Sequence, residues 1–273
     1  MDEVVQSINE TDGEACGFRL ELFKWEKTPK REKPPLALAS FNAEISADRS
    51  FVWGSLPLDS VKAVKKHFDV TVNDVVLAMV GGAMRKYLLG HGDLPEASLR
   101  AMMAVSLRSD GDEEFSNRVT NMPVTLGTDL DDPIDRLRAI HSETERAKQT
   151  ARAGHIGPME VFQMMPPIVI TTLMGTLPPE QTPEIMGANL VVSNVRASSV
   201  PMYIAGARME AIFPLSLLSD GLTINFTCLS YLDKIDFGVG LAPELFPAPW
   251  SIIDGLEASL AETMAQIETG QTG

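Results

Sequence analysis

With 273 residues, 44% of them hydrophobic, the chain is long enough to bury a normal core in one large domain or two small ones. Its formal net charge of −14 excludes binding to a polyanion such as nucleic acid, which needs clustered lysine and arginine, and requires any membrane contact to be apolar. Cys16 and Cys228 show neither metal-ligand nor disulfide-framework spacing, and the N-terminus lacks the basic and apolar regions of a secretory signal, so we expect a cytoplasmic protein with free thiols.

The first forty residues differ from the rest of the chain in composition. They are polar and turn-rich and mix charge with proline near their end, so residues 1–40 are predicted to form a loosely attached arm or, alternatively, an ordered crossover. Residues 41–273 then form the main domain. It opens with a predicted strand over residues 51–56 and a predicted helix over residues 58–67.

The predicted helix over residues 71–89 has apolar side chains on almost every side. Thr71 followed three residues later by Asp74 is a helix-start pattern, because a hydroxyl and a carboxylate can accept from the free N–H groups of the first turn. Gly90 is the predicted stop. The glycines of the Gly81–Gly82 pair each cost about 1 kcal/mol relative to alanine within a helix, so we expect another backbone or a ligand to approach them closely.

Strands and helices alternate through the remainder of the chain, which predicts a layered α/β domain. The stretch at 161–179 has 19 residues without a charge, but Pro166 and Pro167 interrupt it, so a broken helix is predicted rather than a membrane span. The other predicted elements are strands over 99–107, 118–126, 189–195, 208–217, 222–231 and 234–241 and helices over 131–153 and 250–267.

Two motifs of the predicted helix over residues 71–89, NDVVLA at residues 73–78 and GGAMR at residues 81–85, occur in a fixed order with several others. The others are Asn42, Ser46 and Arg49 before the helix, then Ser106, Arg108, Asn117 and Arg118, the VVSNV of residues 191–195, and the run from Leu229 to Gly238. In this combination, over about residues 40–260, the chain resembles the C-terminal half of the bacterial wax ester synthase/diacylglycerol acyltransferase family, within the CoA-dependent acyltransferase superfamily.

The resemblance implies a two-layer α/β sandwich with a mixed β-sheet, one of the two such domains of a complete enzyme, whose active-site tunnel lies between them. It also implies a long-chain O-acyltransferase that forms triacylglycerol from diacylglycerol, or wax ester from a fatty alcohol. Acyl-CoA would be the co-substrate and no cofactor would be needed. Such an enzyme would contact the inner membrane or lipid droplets peripherally.

The proton-transfer group of the resembled family is missing from this sequence. Acyl transfer to a hydroxyl requires a base, which in that family is the second histidine of an HHxxxDG motif, and the chain contains no such motif. We predict no catalytic residue among its four scattered histidines, and no metal site. Three interpretations follow: a half-enzyme that needs an N-terminal-half polypeptide or a homo-oligomer, a fragment of a longer protein, or a degenerate copy. In each, residues 161–177 are predicted to face the missing half. The alternative is a non-catalytic lipid-binding or assembly module.

Five residues are predicted to bind substrate or to line the tunnel: Asn73, Asp74, Ser193, Asn194 and Arg49. Asn73 can hold a substrate carbonyl or orient the catalytic histidine, although Asn73 and Asp74 are equally suited to capping the helix. Ser193 and Asn194 end an apolar strand, where polar side chains also bond to turn backbone. The family pattern SNVPGP reads SNVRAS here, so the Pro-Gly turn is lost. Arg49 is included through the resemblance.

Overall fold

Strands and helices form at most of the places that the hydrophobic pattern predicts. The computed structural model describes residues 36–106, 119–152, 178 and 181–270, which lie in the compact unit Pro35–Gly273. The strands are β1 (Ser50–Pro57), β2 (Arg100–Ser106), β3 (Val119–Thr125), β4 (Leu190–Arg196), β5 (Tyr203–Ile204), β6 (Ala207–Arg208), β7 (Ile224–Tyr231) and β8 (Lys234–Leu241). The helices are α1 (Leu58–Phe68), α2 (Val72–His91), α3 (Pro133–Arg152), α4 (Gln181–Met186) and α5 (Trp250–Glu268).

A mixed sheet of six strands forms one layer of the fold. The strand order is β1-β8-β7-β4-β2-β3. The pairs β1/β8, β8/β7 and β2/β3 are antiparallel, whereas β4 runs parallel to both β7 and β2. The helices α1, α2, α3 and α5 pack on one another and on this sheet to form the second layer. The predicted two-layer α/β sandwich with a mixed sheet is therefore confirmed.

Helix α2 lies at the centre of the helical layer and is buried along most of its length. Thr71 Oγ1 accepts from the Asp74 backbone N–H at 3.2 Å, and the Asp74 carboxylate accepts from the Thr71 backbone N–H at 2.9 Å. This reciprocal capping box confirms the predicted helix start. The predicted stop at Gly90 is wrong by two residues, because the chain stays helical until Gly92 enters the left-handed region at φ 68°.

The two adjacent glycines of α2 lie where other elements come closest to the helix. A Cβ added to Gly81 would overlap the carbonyl oxygen of Leu126 and lie 3.1 Å from its carbonyl carbon. A Cβ on Gly82 would overlap the hydroxyl of Ser259 on α5 and lie 2.8 Å from its Cβ. The expected close approach is confirmed, and at Gly81 the neighbour is the backbone of another segment.

One predicted strand, over residues 208–217, is wrong. Only Ala207–Arg208 pairs, with Tyr203–Ile204 in a small hairpin, and the chain then lies across the sheet instead of extending it. The carbonyl oxygen of Pro214 occupies the space above Gly238, where no side chain stands in the way. The backbone of this segment therefore lies against the face of β8, although Leu215 and Leu217 are largely exposed, and local pattern cannot distinguish this from strand pairing.

Residues 36–42 are anchored by two buried asparagines. The Asn42 amide donates to the backbone carbonyls of Asn189 and Gly221 at 2.8 and 2.9 Å, and the Asn189 amide donates to the Ala37 carbonyl at 2.6 Å and to Asn42 Oδ1 at 3.0 Å. Asn189 Oδ1 also accepts from the Arg100 backbone N–H at 2.9 Å. The other residues of the predicted arm at 1–40 and the apolar segment at 161–177 lie outside the described residues.

Candidate functional site

The carboxyl ends of the parallel strands β4 and β7 meet the first turn of α2 at one edge of the sheet. A cavity of about 650 Å³ opens there. Ligands of open α/β sheets bind outside the carboxyl ends of the strands, which makes this cavity the candidate site. Its described lining residues are Leu58, Lys62, Lys65, Thr71, Val72, Asn73, Asn194, Arg196, Ala197, Ser198, Ser199, Ser230 and Leu232.

Two of the predicted site residues, Asn73 and Asn194, meet in the wall of this cavity. Asn194 Nδ2 donates to Asn73 Oδ1 at 2.5 Å, although the residues are 121 positions apart in the chain. Each carboxamide has both donor and acceptor groups, so Asn73 Nδ2 can still donate and Asn194 Oδ1 can still accept. The pair is half-buried and gives the cavity wall one amide donor and one carbonyl acceptor.

Three cationic side chains give the cavity a positive charge. Lys62 and Lys65 come from successive turns of α1, and Arg196 ends β4. Lys62 lies 3.3 Å from Asp59, but both side chains are exposed, and such pairs are worth little in water. The described lining residues include no carboxylate. In a chain with a net charge of −14, this cavity is a local concentration of positive charge, which would favour an anionic ligand.

Asp74 lies beside Asn73 in sequence, but its side chain is fully buried against α3 and does not line the cavity. Its carboxylate accepts from the Thr144 hydroxyl at 2.7 Å and contacts His141 Nδ1 at 2.8 Å, in addition to the Thr71 backbone. Burial by itself raises the pKa of the Asp74 carboxyl, but these hydrogen bonds outweigh burial and the pKa is lowered overall. Asp74 is therefore a buried carboxylate that joins α2 to α3.

The structure places Ser193 and Arg49 away from the described lining of the cavity. Ser193 neighbours Asn194 on β4, where successive side chains point to opposite faces of the sheet. Arg49 is exposed, and its Nη1 donates to the backbone carbonyls of Ser46 and Asp48 at 2.5 and 2.7 Å. Of the five predicted residues, the fold thus brings Asn73 and Asn194 together in the cavity.

Sequence reasoning missed the cations of the cavity. Lys62 and Lys65 are three residues apart on a predicted helix, a spacing that puts them on one face, and this signal was available. Arg196 stood out as the first residue that departs from the SNVPGP pattern of the resembled family. Neither signal shows that the three side chains share one cavity, because that depends on how α1 packs next to the end of β4.

Other kinds of site are not found in the part of the chain that the structure describes. No group of three or more His, Cys, Asp or Glu side chains is placed there to hold a metal ion. None of the helices in the described ranges has the length and apolarity needed to cross a membrane. Among the described histidines, His67 and His91 are exposed, and His141 is the one that contacts a carboxylate.

Comparison with known proteins identifies the family. The family model described as the WS/DGAT C-terminal domain matches residues 115–263. A second model, the wax ester synthase/diacylglycerol acyltransferase catalytic domain, matches residues 15–76. The fold also occurs in a solved structure of a condensation domain that mediates chain release from the enacyloxin polyketide synthase. That structure is 14% identical, with a TM-score of 0.51 over 82% of this chain and 42% of its own, so the likeness shows the fold alone.

Relatives match over most of this chain but only about half of their own length. The O-acyltransferase WSD of Acinetobacter baylyi is 34% identical over 80% of this chain and 47% of its own length. A Mycobacterium tuberculosis protein provisionally named a diacylglycerol O-acyltransferase is 39% identical over 81% of this chain and 49% of its own. The wax ester synthase/diacylglycerol acyltransferase of Marinobacter aquaeolei is 32% identical with a TM-score of 0.67, over 84% of this chain and 51% of its own. The chain therefore belongs to the wax ester synthase/diacylglycerol acyltransferase family.

Proposed function

We propose that this chain is the C-terminal, acyl-CoA-binding half of a long-chain O-acyltransferase that forms triacylglycerol from diacylglycerol or wax ester from a fatty alcohol. The observation that carries the proposal is the cavity in which three cations and an amide pair converge at the carboxyl ends of β4 and β7. Family membership gives the reaction class, and the cavity gives a place for the acyl donor.

The charge of the cavity fits the phosphates of coenzyme A. The coenzyme carries a diphosphate and a 3′-phosphate, and phosphate groups are bound by lysine and arginine through charge-assisted hydrogen bonds. The hydroxyls of Ser198, Ser199 and Ser230 add neutral groups that can donate to phosphate oxygens. Lys65 and Arg196 lie within 4.0 Å of no carboxylate of the described residues, so both cations are available to a ligand.

The amide pair fits the pantetheine arm of the same ligand. That arm contains two amide groups, each with an N–H donor and a carbonyl acceptor. Asn73 Nδ2 and Asn194 Oδ1 can bond one such amide from the cavity wall, and this would hold the thioester end in a fixed orientation. In this proposal Asn73 binds and orients the acyl donor and takes no proton.

The base that deprotonates the acceptor alcohol is proposed to come from outside these 273 residues. No HHxxxDG motif occurs in the sequence, and His141, which contacts the buried Asp74, does not line the cavity. We propose that an N-terminal half that carries HHxxxDG supplies the histidine across the active-site tunnel, whether it is a separate polypeptide or part of the same one. The same observation favours a second candidate function, a non-catalytic lipid-binding or assembly module.

Titration with free coenzyme A tests the binding proposal. We expect Lys65→Glu and Arg196→Glu each to weaken binding by roughly tenfold or more, since two like charges about 4 Å apart repel by about 1–4 kcal/mol at effective dielectric constants between those of water and of a protein surface. The matched control is Lys66→Glu, an exposed lysine on α1 that does not line the cavity. If all three variants bound coenzyme A equally more weakly, only a general effect of net charge would be shown. If calorimetry detected no coenzyme A binding to the unaltered chain, the assignment of the cavity to coenzyme A would be refuted.

Reconstitution separates the two candidate functions. The chain is mixed with the N-terminal half of a full-length relative that carries HHxxxDG, and acyl transfer from palmitoyl-CoA to diacylglycerol and hexadecanol is measured. Activity that appears only on mixing supports the half-enzyme. Coenzyme A binding without activity under any mixture supports the non-catalytic module instead.

Asn73→Ala tests the role of the amide in the reconstituted enzyme. We expect kcat/KM to fall by roughly one to three orders of magnitude, because a positioned polar group acting near the reacting centre is removed. If Asn73 served only to join α2 to β4 through its bond to Asn194, the variant would lose about 0.5–1.5 kcal/mol of stability and the folded enzyme would keep its activity.

We further propose that the protein is cytoplasmic and meets its lipid acceptor through peripheral contact with the inner membrane or with lipid droplets. The net charge of −14 requires this contact to be apolar, so it should persist at high salt. Flotation with triacylglycerol droplets at 0.05 and 1 M salt measures this, and release at high salt would contradict it.

A further inference from the structure

Asn73 and Asp74 are adjacent in sequence but serve opposite sides of the first turn of α2. Adjacent residues of an α-helix point about 100° apart. Asn73 therefore lines the cavity and bonds Asn194, while Asp74 is turned into the contact with α3 and has no exposed surface. Whatever fixes the Asp74 side chain also fixes the direction in which Asn73 points.

The Asp74 carboxylate is held by more donors than a helix cap needs. A capping box requires only the reciprocal bonds between Thr71 and Asp74, and it forms readily on exposed helix ends. Here two side chains of α3 add to it, with Thr144 Oγ1 at 2.7 Å from Oδ1 and His141 Nδ1 at 2.8 Å from Oδ2. Because an ionised carboxylate only accepts hydrogen bonds, His141 Nδ1 is the donor in this contact.

These two contacts join segments that are far apart in the chain. His141 and Thr144 are 67 and 70 residues from Asp74, on a helix that packs beside α2. Burying a carboxylate is costly unless hydrogen bonds satisfy it, and the cost is repaid only while both helices keep one relative position. The cluster therefore fixes the rotation of the first turn of α2 against α3.

We infer that Thr144 and His141 are positioning residues for the acyl-CoA site: by holding the Asp74 carboxylate they set the direction of Asn73 at the cavity wall. The inference rests on the proposed function for its effect on ligand binding, but its structural part can be measured without a ligand. Neither residue lines the cavity, so each would act through Asp74 and Asn73.

Two readouts on the full chain test this inference. Thr144→Val keeps the side-chain shape but removes the donor to Asp74, whereas Thr144→Ser keeps it. We expect Thr144→Val to weaken coenzyme A binding by roughly 2- to 30-fold, the range by which residues outside a site modulate its affinity, and Thr144→Ser to bind nearly as the unaltered chain does. We also expect the Asn73 side-chain amide signals in ¹⁵N spectra, assigned by their loss in Asn73→Ala, to shift in Thr144→Val and to return in Thr144→Ser.

The control is Val239→Ala on β8, which lowers stability at a buried site that does not line the cavity. A Thr144→Val chain with unshifted Asn73 signals and unchanged binding, but with the stability loss of the control, would overturn the inference and leave only a helix cap. If the unaltered chain binds no coenzyme A, the proposed function fails and the amide signals alone decide the positioning role. If Thr144→Val does not fold, His141→Leu at a half-buried position is measured in the same way.

Discussion

Gly81 offers a direct test of how α2 is packed. Replacing glycine by alanine inside a helix normally stabilises it by about 1 kcal/mol. At Gly81, however, the new Cβ would overlap the Leu126 carbonyl oxygen and lie 3.3 Å from Arg136 Cδ. A backbone oxygen cannot rotate away, so overpacking should cost the upper part of the usual range of about 1–3 kcal/mol or more. We therefore expect Gly81→Ala to lose about 2 kcal/mol net.

Gly90→Ala in the same helix is the matched control. No heavy atom lies within 4 Å of the Cβ position at Gly90, so this variant should gain up to about 1 kcal/mol. Thermal and urea unfolding of the three chains measure the difference, and a loss of about 2 kcal/mol should lower Tm by roughly 4–8 °C for a domain of this size. If Gly81→Ala matched or exceeded Gly90→Ala in stability, the close approach of Leu126 would be wrong.

Three further outcomes are expected. The pKa of Asp74 is lowered below its ordinary value of 3.8, so the ionised carboxylate stabilises the fold above that pH, and this stability is lost as pH falls through the folded pKa. The difference in unfolding free energy between the unaltered chain and Asp74→Asn should therefore narrow below about pH 4. A difference that does not change with pH would contradict this. In Gly238→Ala the Cβ would lie 2.9 Å from the Pro214 carbonyl carbon, so urea unfolding should show a loss of about 1–3 kcal/mol in unfolding free energy. An unchanged unfolding free energy would show that the segment around Pro214 does not pack against β8. Burial raises the pKa of the Cys228 thiol, so little reactive thiolate forms at pH 8. In a Cys16→Ser background, iodoacetamide at pH 8 should label Cys228 only after the protein is unfolded. Labelling of the folded protein would contradict the burial of this thiol.

Local sequence pattern determined the elements of this fold and the start of α2. Short apolar runs predicted strands β1, β4, β7 and β8, because the pattern of such a run is a property of neighbouring residues alone. Thr71 and Asp74 predicted the capping box for the same reason, since both partners lie within one turn. The segment at 208–217 failed because an apolar run can pack on a sheet as well as pair in it.

Tertiary structure decided the site. Asn73 and Asn194 were each predicted from sequence, but their contact across 121 residues depends on α2 beginning beside the carboxyl end of β4. Asp74 was predicted beside Asn73 in the same site, but the helical rotation of about 100° per residue directs its side chain to α3. There it contacts Thr144 and His141, whose positions in the sequence gave no sign of this contact. The sequence marks Lys65 by its spacing from Lys62 and Arg196 by its departure from the SNVPGP pattern, but neither mark shows a shared cavity, because a charge becomes part of a binding site only when folding brings its neighbours to it.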